Sequence, residues 1–332
     1  MRKTSGVIAG ITGVCFSMGL LVGGSPALAQ NPPGSLVSTS ASLDLGRSPI
    51  LATASPNGST LYVISASTPS GPAVLSWINP AGPREFRSAK VGKSPTGLAV
   101  SPDGARLVTS SSSDRFIRVF DAANGRLLSK VQVNGTPDDV VIGPKGKSLF
   151  ASINKGATVV RIDTKSLKIT GRYPVKDRSN TCHGRPPISL AVTADSSTLL
   201  VACRAGGLFA MRTSNGTSIG GIDQADGGSP VSSPDGTHAY WGSRNELWGL
   251  DIPHYPQVFT KDLITPADGD EGDVLDSIRT PITIAVTPDG SKVYAAMPDV
   301  GSVSRVDPVN LTSPTTRISV NGTTAFGAQE LA

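Results

Sequence analysis

Residues 94–104 read Ser94-Pro95-Thr96-Gly97-Leu98-Ala99-Val100-Ser101-Pro102-Asp103-Gly104. A proline opens a short apolar run, and a second proline, seven residues on, opens a Pro-Asp-Gly turn. Proline presets φ for the first corner of a turn and glycine supplies the positive φ that closes it. The same frame starts at Pro49, Pro137, Pro187 and Pro281, with a shortened version at Pro230. The Pro187 copy carries Ala194 in place of its second proline. The six leading prolines are spaced by 46, 42, 50, 43 and 51 residues, a repeat with a period near 46.

Each copy continues in the same order. A second apolar strand follows the turn, as in Leu61-Tyr62-Val63, Leu107-Val108 and Leu199-Leu200-Val201. A third alternates and ends on an aspartate, at Asp121, Asp163, Asp251 and Asp307. Such an aspartate accepts backbone N–H groups just beyond it and shapes the next turn. A fourth strand completes the unit, as in Leu127-Leu128-Ser129-Lys130-Val131 and Leu167-Lys168-Ile169-Thr170. Four antiparallel strands every forty-odd residues is the pattern of a β-propeller blade, which buries its faces only against its neighbours. Composition agrees. Of 332 residues, 37 are Gly and 26 are Pro, and only 17% are charged, which excludes a coiled coil or helical bundle.

The Ser-Pro-Asp-Gly turns, the strands ending in Ile/Val-Asp, and Thr324-Ala325-Phe326-Gly327 near the C-terminus resemble the YVTN-type propellers, which include surface-layer-associated and lactonase-like proteins. The resemblance covers residues 36–332 and implies an all-β, seven-bladed propeller of four-stranded antiparallel blades. The repeats themselves count six complete blades, with Leu36–Leu45 as a spare fourth strand and Thr323–Leu331 as a spare first strand. Tyr-Val-Thr-Asn itself is not spelled; Phe150-Ala151-Ser152-Ile153-Asn154 stands in one of its places.

The N-terminus reads differently from the repeats. Arg2 and Lys3 precede an uncharged, mostly apolar stretch from Val7 to Val22, and Ala27-Leu28-Ala29 is a small-x-small cleavage site. This is a secretory signal peptide, residues 1–29, followed by a linker, residues 30–35, and one propeller domain, residues 36–332. The expected location is secreted, periplasmic or cell-surface. No later stretch has the length of a membrane helix. Residues 1–29 hold two cations and no anion, so the charge of +5 falls to +3 in the mature chain. That is too mild to argue for nucleic acid. A monomer is expected. The two remaining cysteines, Cys182 and Cys203, are expected to form a disulfide in an exported chain.

Function is expected where loops meet the channel. In this topology the loops before first strands and between second and third strands share one face, around the channel mouth, and the Pro-Asp-Gly turns lie on the other. Two residues before the leading prolines stand Arg47, Lys93, Gly135, Arg185, Gly228 and Arg279. Cations gathered at a mouth repel, and an anionic ligand relieves them. Arg47, Lys93, Arg185 and Arg279, with His183 beside them in Cys182-His183-Gly184-Arg185, are therefore candidate ligand-binding residues. The expected partner is an anionic small molecule, an envelope polymer or a protein. The plainer alternative is a set of solvated loop cations. Asp268, Asp270 and Asp273, in Asp268-Gly269-Asp270-Glu271-Gly272-Asp273, are candidate Ca²⁺ ligands, with a solvated acidic loop as the alternative.

No nucleophile elbow, phosphate loop or haem attachment motif occurs. A binding or scaffold module is the first reading. A lactonase-like hydrolase or lyase is the second, with Asp138, Asp139, Asn154, Arg178 and Arg204 as candidate groups implied by the resemblance.

Overall fold

The repeat is realised strand by strand in a computed structural model of the chain. It describes residues 43–68, 71–175, 186–203, 207–222, 228–243, 246–254, 258–262, 283–287, 289–297, 302–309 and 316–319. The first sheet comprises β1 (Ser48–Ala54), β2 (Leu61–Ala66), β3 (Pro72–Asn79) and β4 (Arg84–Lys93). The second has β5 (Pro95–Val100), β6 (Arg106–Ser111), β7 (Phe116–Asp121) and β8 (Leu127–Gln132). The third has β9 (Pro137–Ile142), β10 (Ser148–Ile153), β11 (Thr158–Asp163) and β12 (Ile169–Pro174). The fourth has β13 (Pro187–Val192), β14 (Thr198–Cys203), β15 (Leu208–Arg212) and β16 (Ser218–Ile222). The fifth has β17 (Val231–Ser232), β18 (His238–Ser243), β19 (Glu246–Asp251) and β20 (Val258–Asp262). The sixth has β21 (Thr283–Val286), β22 (Val293–Met297), β23 (Ser302–Val306) and β24 (Thr316–Ser319). Each sheet is a four-stranded meander in chain order, antiparallel throughout.

The leading prolines begin inner strands β5, β9 and β13, as the repeat predicts, and the shortened fifth copy yields a first strand of two residues. Of the residues read as spare strands, 36–45 and 323–331, positions 36–42 and 323–331 lie outside the described residues, and 43–45 form no strand, the first one starting at Ser48. One fourth strand starts later than its sequence suggests. Leu167 adopts φ 56 in the turn after Asp163, and β12 begins at Ile169. The corresponding turns of the second and fourth sheets place Gly125 and Gly216 there, each at φ 72.

The core consists of layers between successive sheets rather than one central mass. Consecutive residues of each second strand serve opposite layers. Leu107 packs toward the first sheet with Tyr62, Ile64 and Trp77, while Val108 packs toward the third with Val140 and Leu149. Phe150 and Leu199 share the next layer, Leu200 and Trp241 the next, and Tyr240 and Val293 the last. A strand covered on both faces has to be apolar without alternation, and β14, Thr198–Cys203, is buried at every position. Burial of each large side chain contributes about 1.5–3 kcal/mol, so the stacking of sheets supplies the stability that no single sheet has.

Polar clasps tie the same sheets together. Trp77 Nε1 donates to the Ala122 carbonyl at 2.6 Å and Arg87 to the Asn124 carbonyl at 2.8 Å, both in the turn of the second sheet. Arg106 reaches the Thr164 carbonyl of the third sheet. Tyr173 and Arg161 reach the Thr213 and Ser214 carbonyls of the fourth, at 3.0 and 3.2 Å.

Candidate functional site

The first strands pack against one another in sequence, β1 to β5 to β9 to β13 to β17 to β21, and so form the inner wall. A β-bulge follows the leading proline in four sheets, with Ile50, Thr96, Asp138 and Ile188 as the extra residues. A bulge re-aims the side chains on either side of it. In the third sheet it sets Asp138 and Asp139 side by side where the inner strand meets the mouth.

Asp139 is built into the wall. Its Oδ1 accepts the Val140 N–H at 2.7 Å and its Oδ2 accepts the Leu190 N–H of β13 at 2.9 Å. Its own N–H donates to Ser152 Oγ at 2.8 Å. On the other side lies Gly97 of β5. A Cβ there would stand 2.5 Å from Ser110 Oγ, 2.9 Å from the Val140 nitrogen and 3.0 Å from Asp139 Oδ1. One carboxylate thus bonds two successive inner strands and packs close against a third, where a glycine is required for the approach. Thr96 adds a bond across the same seam, from its Oγ1 to the Pro137 carbonyl at 3.1 Å.

The surrounding protein pushes the Asp139 carboxyl up to about 7. Loss of solvent is the main cause, reinforced by the Asp138 charge. The donors from Leu190, Val140 and Ser189 oppose it. A carboxyl that titrates near neutrality is a possible proton carrier. Both oxygens, however, are already engaged by backbone N–H groups. Its geometry is that of a clasp.

The candidate cations stand in different states. Arg47 is tied to its own sheet: Nε donates to Ser65 Oγ at 3.2 Å, and its guanidinium lies 3.6 Å from the Glu85 carboxylate, which also accepts the Ser76 hydroxyl at 2.9 Å. Lys93 is exposed at the end of β4. Its carbonyl accepts the hydroxyls of Ser111 and Ser113 at 2.5 and 2.9 Å, so its backbone is fixed while its ammonium faces solvent. Arg185, Arg279 and His183 lie outside the described residues, as do Asp268, Asp270 and Asp273. Among the described residues no group of three or more His, Cys, Asp and Glu is placed to hold a metal ion.

Of the lactonase-like candidates, Asn154 is structural. It exchanges bonds with Thr136, N–H to carbonyl at 3.1 Å and Oδ1 from N–H at 3.2 Å, and so pins two mouth loops together. Arg178 and Arg204 lie outside the described residues. His238 and His254 belong to the opposite face: His238 stacks on Tyr240, and the exposed His254 sits 3.0 Å from Asp251. The sequence reading missed the Asp114–Arg118 pair, a 2.5 Å contact at the mouth end of the second sheet. Gly92, at φ 108, makes room for the guanidinium. The spacing of four between the two charges was visible, but not that a hairpin brings them together.

Cys203 ends β14, is fully buried, and pairs in register with Pro187. Cys182 lies outside the described residues. No described helix is long and apolar enough to cross a membrane.

No protein-family model matches the chain, and no curated protein does. Solved structures do resemble it. Hydrazine synthase of Kuenenia stuttgartiensis is 18% identical, with a TM-score of 0.66 over 90% of this chain and 86% of that one. The β-propeller domain of Myceliophteria thermophila Cps50 (Swd1) is 12% identical, with a TM-score of 0.64 over 83% of this chain and 87% of that one. Both likenesses fall at identities where shape alone is shared, and what they establish is the fold: the chain is a β-propeller.

Proposed function

We propose that the protein is an exported, YVTN-type propeller that acts as a binding or scaffold module and takes an anionic ligand at the channel mouth. The ligand class is a carboxylate- or phosphate-bearing small molecule or envelope polymer. The observation that carries the reading is Lys93: a solvent-facing ammonium on a backbone held by two serine hydroxyls, at the rim of a clasped inner wall. Loops held on a rigid scaffold make good binding positions, because little ordering is left to be done when the ligand arrives. Arg185 and Arg279, at the equivalent place in their own copies, supply further charge. Arg47 contributes less, since Glu85 already answers it.

A hydrolase reading has less support. The carboxyl best placed for proton transfer, Asp139, has both oxygens committed to backbone donors. The discriminating experiment is titration of the mature chain with polycarboxylates and polyphosphates at two salt concentrations, beside a lactone hydrolysis assay with and without divalent cation. Salt-sensitive anion binding that weakens at least tenfold in Lys93→Ala/Arg279→Ala, without lactone turnover, is expected. Turnover, or affinity indifferent to salt and to these substitutions, overturns the reading.

A further inference from the structure

The turn-bearing face carries one departure from the repeat that the fold does not require. In the five other copies, the residue after the second-proline position is Asn57, Asp103, Asp195, Asp235 or Asp289. In four of them the side-chain oxygen accepts a hydroxyl from the Ser or Thr two residues before it and a backbone N–H two residues after it; Ser101, Asp103 and Ala105 show the pattern at 2.5 and 3.0 Å. The Asn57 copy makes the same two contacts at 2.8 and 3.1 Å.

The third sheet has Lys145 there, with Gly143 in place of the hydroxyl residue. Backbone alone closes this turn, through Gly146 N–H to the Gly143 carbonyl at 2.7 Å, and Ser196 of the next sheet accepts the Lys145 N–H at 3.2 Å. The turn therefore folds without its acid; the Lys145 ammonium lies within electrostatic reach of Asp195 in the next sheet's turn and, against burial and after the Ser197 and Thr193 hydrogen bonds, helps to lower the pKa of that carboxyl.

More cations meet Lys145. Lys147 follows two residues on, and the neighbouring turn of the same sheet brings Lys165 and Lys168. The two turns are bonded together: Thr164 N–H donates to the Lys147 carbonyl at 3.2 Å and Thr164 Oγ1 to the Gly146 carbonyl at 2.5 Å. All four lysines are exposed. Arg106 of the second sheet anchors on the Thr164 carbonyl. The opposing charge within the turns is Asp163, whose carboxylate is occupied by the Ser166 N–H and hydroxyl, each at 2.7 Å.

Residues 143–148 and 163–168 thus carry four cations and one anion, a formal charge of +3. The matching twelve residues of the second and fourth sheets balance to zero, and those of the sixth sum to −1. The mature chain carries only +3 in all, so this patch holds as much charge as the whole molecule.

We infer that this face of the third sheet docks on an anionic phospholipid surface. The charge is all lysine on flexible stems at turn tips, with no arginine fork, aromatic platform or pocket in either turn to select one soluble anion. Turn tips are the outermost points of a blade, so they meet a flat surface first. Each lysine next to such a surface strengthens binding by about fivefold at physiological salt. The patch faces away from the channel mouth, so docking leaves the mouth open, and the inference does not depend on what the mouth binds.

The test is co-sedimentation of the mature chain with vesicles of pure phosphatidylcholine and of phosphatidylcholine with about 30% phosphatidylglycerol, which gives the surface a negative potential. Selective binding to the anionic vesicles is expected. Lys145→Gln/Lys165→Gln weakens it by about tenfold or more, whereas Lys90→Gln/Lys130→Gln, which removes equal charge elsewhere, changes it less than twofold on the same scale. Unaltered circular dichroism and melting of both variants keep the comparison clean. Equal losses in the two pairs, no vesicle binding by the parent chain, or tight binding to soluble polyphosphate that vesicles do not compete, each overturns the inference.

Discussion

Asp139 shows how much one side chain does in this wall. Its carboxyl sits at about 7 instead of its ordinary 3.8, chiefly because burial disfavours the charge. Folding therefore favours its protonated form. The stability it contributes is full below about 4 and is lost as pH rises through about 7. The turn aspartates act in the opposite sense. Asp235 and Asp289 are held down to about 2, first of all by the hydroxyls of Ser233 and Thr287, so their contribution is present above about 4 and lost as pH falls toward 2. The two windows do not overlap. Urea midpoints measured across pH are expected to peak between about 4 and 5, fall toward neutrality and level off above about 7. Asp139→Asn is expected to flatten the neutral limb and leave the acid limb in place; a neutral limb unchanged in that variant assigns it to another group.

Turns repeat a single solution. Ser101 Oγ donates to Asp103 and accepts the Arg106 N–H at 2.9 Å, closing the loop between β5 and β6 from both ends. Thr193, Ser233 and Thr287 do the same in their sheets. The aspartates after the third strands work as expected: Asp121 accepts the Ala123 and Asn124 N–H groups at 2.9 and 3.2 Å, and Asp163 that of Ser166. Removing one such hydroxyl leaves a donor and an acceptor without their partner. Ser101→Ala is expected to cost about 1–2 kcal/mol, read as a lower urea midpoint at unchanged slope. The same deletion has no counterpart in the third sheet, where Gly143 already lacks the hydroxyl. That contrast is why the lysine at 145 stands out as a choice the turn itself did not impose.

Across the molecule, the sheets are held by apolar layers and by clasps between neighbours, and Cys203 is buried in the layer between the third and fourth sheets. Cys182 stands five positions before Pro187, and Pro187 lies opposite Cys203 in the ladder. A Cys182–Cys203 bridge, which the proposed export would favour, is expected to add roughly 3 kcal/mol by closing a loop of about 20 residues. Thiol titration of the unfolded mature protein should find no free sulfhydryl, and reductant should lower the melting temperature. Two titratable thiols would rule the bridge out.

Much of this was legible from periodicity. The recurrence of Pro, an apolar run and Pro-Asp-Gly specified strand order, turn placement and the stacking of blades, because each feature is local: a proline sets its own φ, a glycine its own turn, and an unalternating apolar strand has to be covered on both faces. Site chemistry was less legible, because it depends on which strands end up adjacent. Asp139 could be named as a candidate from its place after Pro137, yet its role as a clasp follows from Leu190 and Gly97, 51 residues ahead and 42 behind. Arg47 read as a free cation until Glu85 and Ser65, from other strands of its sheet, were found beside it. The linear chain by itself determined a wheel of four-stranded sheets. Only the tertiary structure decided which charges are spent on holding that wheel together and which are left facing solvent, because a charge is neutralised by its neighbours in space and those neighbours come from distant turns of the repeat.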